Sequence, residues 1–196
     1  YYETGWSRNL VYPHIGFDEM HFIDYFDQTK ILREYITDQE LYDKIIKRYE
    51  NRKNNEKLFF MGITMQNHGG YTETYDNFPE NYYKVGRSYT DANQYLSLVH
   101  ESDEAVKNLI SYFSKVDDPV EIIFFGDHQP SLNSNFYPIL NGKGLTGLTE
   151  DELEKLYTVP FFIWTNYDTP EETVDITSLD YLSTMALERC TLRWTT

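Results

Sequence analysis

Apolar residues recur along this chain in two alternating rhythms. Spacing of about four residues marks helices. Leu41, Ile45 and Tyr49 form one such stripe behind Thr37-Asp38-Gln39-Glu40, whose Thr-to-Glu spacing is that of a capping box, and Asn54-Asn55 is the expected end of that helix. A longer helix is predicted from about Ser88 to Val116, with Ala92, Tyr95, Leu96, Val99, Val106, Leu109, Ile110 and Phe113 on one side. Thr149 to Glu152 repeats the capping spacing before a short helix, and Ser178 is placed to cap a last one carrying Leu179, Leu182 and Met185. Between these lie three short, mostly apolar runs: LFFMGITM (58–65), VEIIFF (120–125) and VPFFIW (159–164). Their length and their β-branched and aromatic content suit strands buried on both faces of a parallel sheet, with Pro160 tolerated at a strand start or edge. Residues 1–37 read as loops with a short helix, 71–87 as an aromatic loop containing Pro79, and 131–147 as a Gly- and Asn-rich loop. Helices alternating with apolar strands predict an α/β fold, a mainly parallel sheet flanked by helices on both faces.

Composition narrows the class. With 196 residues the chain makes one domain or most of one, and a net charge of −15 argues against a general nucleic-acid binder, which needs a basic face. No run approaches the roughly 18 apolar residues needed to span a bilayer, and no basic-then-apolar signal opens the chain. A single cysteine, Cys190, excludes an internal disulfide framework and a multi-cysteine metal knuckle. The 18 tyrosines suit either half-buried element edges or a surface that stacks on polar ligands.

Candidate chemistry gathers where strands end, since open α/β sheets bind ligands outside the carboxyl ends of their strands. His68 follows the first predicted strand in the glycine-bearing turn QNHGG, and Asp127-His128 follows the second in GDHQP. A carboxylate and an imidazole held at a strand end form a sound pair of ligands for a divalent cation, with Gly126 expected to turn the backbone sharply. The alternative is an Asp that caps a turn beside an exposed His. His68 reads either as structural or, through Gly69 and Gly70, as placed for a ligand to approach the backbone. Trp6 and Arg8, two apart in extended chain, would share one side, one stacking and one binding phosphate, or else serve as a packed anchor beside a solvated Arg.

Four stretches in order carry a resemblance: Gly5-Trp6-Ser7-Arg8 with Gly16-Phe17-Asp18; FFMGITMQNHGGY from Phe59 to Tyr71; IIFFGDHQP from Ile122 to Pro130; and VPFFIWTN from Val159 to Asn166. Together they resemble the sulfatase-like extracellular domain of the lipoteichoic acid synthase family, phosphoglycerol transferases of the alkaline phosphatase superfamily. The resemblance implies an alkaline phosphatase/sulfatase-like fold, with this chain as one partial domain lacking its N-terminal side. Residues 1–37 would be substrate-side loops, 38–187 the α/β body, and 188–196 a tail unlike the family. It implies that Asp127 and His128 are two ligands of one divalent metal ion, Mn2+ (or Mg2+), and that His68, Trp6 and Arg8 bind substrate. The nucleophilic threonine and a glutamate ligand are expected upstream, so no catalytic nucleophile is assigned here and the fragment alone is expected to be inactive. The implied reaction moves phosphoglycerol from phosphatidylglycerol to a glycerol-phosphate polymer at the extracellular face of the cell membrane, with membrane attachment through upstream segments. Competing readings are a phosphoethanolamine transferase or sulfatase of the same superfamily, and a non-catalytic module binding cell-wall glycan or teichoic acid.

Overall fold

The computed structural model describes residues 2–78 and 89–190. The helix start expected at Ser88, the loop around Pro79 and the tail beyond Cys190 lie outside the described residues. The chain divides into two compact units, Tyr1–Leu109 and Ile110–Thr196.

In the first unit, helix α1 (Arg8–Ile15) is stopped by Gly16, which takes φ 102°. Such a left-handed cap suits glycine because no Cβ opposes it. A two-residue hairpin follows, β1 (Ile31–Leu32) against β2 (Tyr35–Ile36), antiparallel with Leu32 opposite Tyr35. Helix α2 (Asp38–Glu50) begins where the capping pattern places it, the Thr37 hydroxyl accepting from the Glu40 amide at 3.2 Å. Glu40 does not return the bond to Thr37. Its buried carboxylate instead accepts from the Asp27 amide at 2.9 Å, tying the preceding loop to the helix. The helix stops at Asn51, a turn earlier than Asn54-Asn55 suggested.

Helix α3 (Thr90–Phe113) matches the predicted long helix and buries Ala92, Leu98, Ala105, Val106, Leu109 and Phe113; Val99, placed on that stripe by spacing, is exposed. The run 58–65 is not a strand. It lies against α2, with Gly62 so close that an added Cβ would stand 3.0 Å from Leu41 Cδ2, and it makes no ladder among the described residues. An apolar run reports burial against a neighbour; a strand also requires a partner at the right distance, which composition does not encode.

In the second unit, β3 (Glu121–Phe125) and β4 (Phe161–Thr165) fall where the apolar runs predict, with Pro160 just outside β4. They pair antiparallel, Ile123 opposite Ile163, and the Phe124 and Phe162 rings stack at 5.2 Å. The mainly parallel arrangement therefore does not hold for the ladders among the described residues, although the α/β class does. An apolar run reads the same in either direction, so periodicity leaves strand polarity open. Between them, α4 (Tyr137–Asn141) occupies part of the expected loop, and α5 (Glu150–Lys155) carries a complete capping box. There the Thr149 amide donates to Glu152 Oε2 at 2.7 Å and the Glu152 amide to Thr149 Oγ1 at 3.3 Å. Ser178 caps α6 (Leu179–Arg189), which buries Leu182 and Ala186 but leaves Leu179 exposed.

Beneath the turn that follows Met65, the first unit holds a buried polar network. The Ser102 hydroxyl donates to Asp38 Oδ2 at 2.5 Å and accepts from the Gln66 and Asn67 amides at 3.2 and 2.9 Å. The Asp38 amide donates to Gln66 Oε1 at 3.1 Å. Burial pushes the Asp38 carboxyl up to about 6, against the opposing pull of Ser102. Because the folded value lies above the unfolded one, the folded state binds more protons between about pH 4 and 6, so this group's contribution to stability falls as pH rises through that window. Asp38→Asn cannot ionise. Its stability relative to wild type, from urea unfolding at a series of pH values, is expected to improve by about 2 kcal/mol between pH 4 and pH 7. Two curves running parallel across that range would rule out a buried, titrating Asp38.

Candidate active site

The turn after β3 is fixed by the segment that leads into β4. The Gly126 amide donates to Pro160 O at 3.2 Å, and a Cβ on Gly126 would meet Val159 Cβ at 3.1 Å. Close approach of Val159, rather than a left-handed turn, is thus why glycine stands here. The Gln129 side-chain amide donates to the Thr158 carbonyl, closing the other side. The VP of VPFFIW and the GDHQP turn are two halves of one clamp.

That clamp presents two exposed side chains, Asp127 at 85% and His128 at 74% of full side-chain exposure. The Asp127 Oδ1 accepts from the His128 amide at 2.9 Å, which fixes the carboxylate plane. His128 Nδ1 lies 2.9 Å from the Gln129 carbonyl. A carbonyl only accepts, so Nδ1 carries a proton and the neutral ring bears its lone pair on Nε2. That Nε2 stands 3.4 Å from Asp127 Oδ2. Two lone pairs facing at this distance call for a positive charge between them, either a proton on the ring or a cation. Adjacent ligands of a small divalent ion with bonds of ~2.1 Å stand about 3.0–3.4 Å apart, and metal-bound histidines usually donate their other ring N–H to a carbonyl or carboxylate. The pair therefore fits a metal as two neighbouring ligands. It does not complete a shell: among the described residues no group of three or more His, Cys, Asp or Glu could hold an ion.

In the first unit, Trp6 and Ser7 both adopt left-handed backbone, φ 56° and 51°. Each such non-glycine residue costs on the order of 1–2 kcal/mol, and conformations of this kind cluster where function over-determines the chain. Trp6 is 89% exposed. Arg8, half-buried, opens α1 with its guanidinium folded back to within 3.5 Å of where a Gly5 Cβ would be. The expected extended geometry, with Trp6 and Arg8 on one side of a strand, is replaced by a helical turn entered through a strained step.

His68 is exposed in the turn following Met65, its Nδ1 3.2 Å from Tyr35 Oη. What organises that turn is a residue that no pattern along the chain singles out. Arg33, only 5% exposed, sits at φ 55° between β1 and β2. Its Nη1 donates to Gly70 O and Gln94 Oε1 at 3.0 and 3.1 Å, and its Nη2 to Gln66 O and His68 O at 2.9 and 2.7 Å. The rings of Tyr35, Tyr71 and Tyr75 surround the cation at 5.5 to 5.9 Å. Burial depresses the Arg33 pKa below its ordinary value, opposed by these phenols. Gly70 takes φ 95°, a left-handed backbone that suits glycine at this point of the turn. The only trace of this cluster in the sequence is the tyrosine excess, which the stacking reading assigned to ligands.

The described elements make this chain an α/β unit. The chain matches the family model described as Sulfatase over residues 1–188 and belongs to that family, as the four stretches led us to expect. It is 26% identical over 192 residues to a putative cyclic β-1,2-glucan modification protein of Rhizobium meliloti (strain 1021), covering 94% of this chain and 29% of that protein. It is 32% identical over 136 residues to the capsular polysaccharide biosynthesis protein RkpI of the same organism, covering 68% and 23%. Its fold is similar to that of the Streptococcus pyogenes phosphoglycerol transferase GacH, solved in complex with sn-glycerol-1-phosphate, with a TM-score of 0.68 and 19% identity over 95% of this chain and 47% of that one. It is also similar to the lipoteichoic acid synthase LtaP from Listeria monocytogenes, with a TM-score of 0.63 and 21% identity over 83% and 40%. The chain spans less than a third of these curated relatives and less than half of these solved structures. Among the described residues no helix is long and apolar enough to cross a membrane.

Proposed function

We propose that this chain is part of a metal-dependent phosphoglycerol transferase acting at the extracellular face of the cell membrane. In this reading it transfers phosphoglycerol from phosphatidylglycerol to a cell-envelope polymer. The observation that carries it is the Asp127–His128 pair, whose Nε2 and Oδ2 lone pairs face each other at 3.4 Å with Nδ1 already committed to a carbonyl. The likeness of fold to GacH and LtaP supports phosphoglycerol as the group moved. Asp127 and His128 would hold one divalent ion, with Mn2+ better suited than Mg2+ to a set that includes an imidazole. That ion would neutralise charge on the phosphoryl oxygens and favour ionisation of the nucleophile. A nucleophilic threonine and a glutamate ligand would come from outside these 196 residues, which alone would be inactive. The threonine oxygen would displace diacylglycerol from phosphorus, and an acceptor hydroxyl would then displace the threonine. Arg8 and His68 would donate hydrogen bonds to the phosphate, while the exposed Trp6 indole would pack on the glycerol. The names of the two Rhizobium relatives favour an envelope polysaccharide over a teichoic acid as acceptor.

The test uses the full-length protein with vesicles and manganese, reading diacylglycerol release. Phosphatidylglycerol vesicles are expected to yield diacylglycerol, with phosphoglycerol appearing on the polymer. Faster turnover of phosphatidylethanolamine, or of an aryl sulfate, would move the protein to its superfamily competitors. Glycan binding without any release would favour the non-catalytic module.

A further inference from the structure

The hairpin β1–β2 concentrates its costly features on one residue. Arg33 holds a left-handed backbone and a guanidinium at 5% exposure, and its Nε is buried without a partner. Burying a cation costs several kcal/mol even after relaxation, and a well-packed apolar side chain would often serve stability better. The four bonds Arg33 makes go to one place, the turn 66–70 and its support: the carbonyls of Gln66, His68 and Gly70, and the side chain of Gln94. Gln94 in turn donates to Glu73 O at 2.7 Å and is fully buried. Two residues after Arg33 on the same hairpin, Tyr35 reaches the imidazole of that turn, its Oη 3.2 Å from His68 Nδ1 and the two rings 5.6 Å apart. One short hairpin therefore grips both the backbone and the side chain of His68.

We infer that Arg33 and Tyr35 are positioning residues for His68: Arg33 clamps the turn through its carbonyls, and the Tyr35 hydroxyl donates to Nδ1, so the neutral ring carries its proton on Nε2, directed away from the hairpin. A phenol is a better donor than a neutral imidazole N–H, so the shared bond selects this tautomer. The proton on Nε2 makes His68 a donor, which an anionic oxygen requires; the opposite tautomer would present a lone pair and repel it. The inference rests on the reading of His68 as a phosphate-binding residue and adds how its protonation pattern is set. The pair recognises a phosphoryl oxygen whether it belongs to a lipid headgroup or to a phosphorylated polymer.

The experiment measures the tautomer of His68 by nitrogen NMR on the full-length protein, above the pH at which imidazole is protonated and without substrate, together with kcat and KM on phosphatidylglycerol vesicles. Wild type is expected to show one tautomer protonated at Nε2. Tyr35→Phe, which keeps the ring and the packing, is expected to show mixed tautomers, an unchanged melting temperature, and kcat/KM lower by about tenfold, about twofold from the smaller donor population and the rest from loss of the ring's fixed orientation. Vesicles of phosphatidylglycerol and soluble glycerol phosphate used as an inhibitor separate the lipid from the polymer as the source of the phosphate. A wild-type His68 protonated at Nδ1, or a Tyr35→Phe protein with an unshifted tautomer, overturns the inference. A shifted tautomer with unchanged kcat/KM overturns the phosphate-binding reading of His68 and with it the role given to Tyr35. Lack of turnover by the wild type instead counts against the transfer reaction, since the tautomer is read independently. Arg33→Lys, which keeps the charge but not the fork, is expected to broaden the His68 signals, and wild-type signals and kcat/KM in that variant overturn the clamp; if it does not fold, Tyr35→Phe decides.

Discussion

Asp127→Ala in the full-length protein is expected to lower transfer from phosphatidylglycerol by about a thousandfold, since Lewis-acid stabilisation is worth several kcal/mol and each ~1.4 kcal/mol is a factor of ten. His128→Ala is expected to fall by a similar factor. The double variant should be little worse than either, because two ligands of one ion act as a unit and their losses do not add. Asp127→Asn separates charge from shape. It keeps an oxygen in place and the hydrogen bond from the His128 amide but removes the negative charge, so it should lie near the alanine variant in activity. None of these four variants should unfold the protein, because both side chains project into solvent from a turn held by Gly126, Gln129 and Pro160. The check is diacylglycerol release at saturating manganese beside calorimetric titration with Mn2+: wild type should bind tightly, and the variants and the 196-residue chain alone weakly. If either single variant keeps more than a third of wild-type activity, or if the short chain binds manganese with micromolar affinity, this pair is not half of a larger metal shell.

Asn166→Ala is expected to cost about 3 kcal/mol of stability, a large loss for one half-buried side chain. The residue stands just after β4 and closes the end of α3. Its Nδ2 donates to the carbonyls of Phe113, Val116 and Asp118 at 3.2, 3.1 and 2.8 Å. Its Oδ1 accepts from the Val120 amide at 2.7 Å, and its backbone amide donates to Val120 O at 3.2 Å. The carbonyls of Ile110, Tyr112 and Phe113 already accept from the amides of Ser114, Lys115 and Val116, so what this one side chain adds is a tie between the loop that leaves α3 and the entry into β3. Asn166→Asp should be at least as damaging, because a carboxylate has no donor and would face three carbonyl oxygens. The measurement is urea and thermal unfolding, where a loss of this size shifts the midpoint by about 6–12 °C in a protein of this length. A change below about 0.5 kcal/mol, the scale of an ordinary surface substitution, would mean that the clamp is not a source of stability.

These residues also mark how far the sequence could be read. The helices were legible because their signals are local: Thr37, Thr149 and Ser178 cap within three residues of themselves, and the α3 stripe repeats every turn. The apolar runs that became β3 and β4 were legible for the same reason. Strand direction was not, nor was the failure of 58–65 to join a ladder, because both depend on a partner far along the chain. Asp127-His128 could be proposed as a pair, since adjacency did most of the work. The true role of Gly126, close approach of Val159, was hidden 33 positions away.

The sequence by itself determined the α/β class, the membership of the sulfatase family, the helices and their caps, and the residues about which a phosphoryl site could be proposed. Only the tertiary structure decided that the strands run antiparallel, that Asn166 is a helix clamp, that Asp38 is buried and pushed toward neutrality, and that Arg33 and Tyr35 hold the turn of His68. The difference is one of range. Periodicity and capping arise between residues a turn or two apart, and any window of sequence contains them. A guanidinium in the interior is stabilised by groups 33 to 61 positions away, and nothing in the letters around Arg33 distinguishes it from an arginine in solvent.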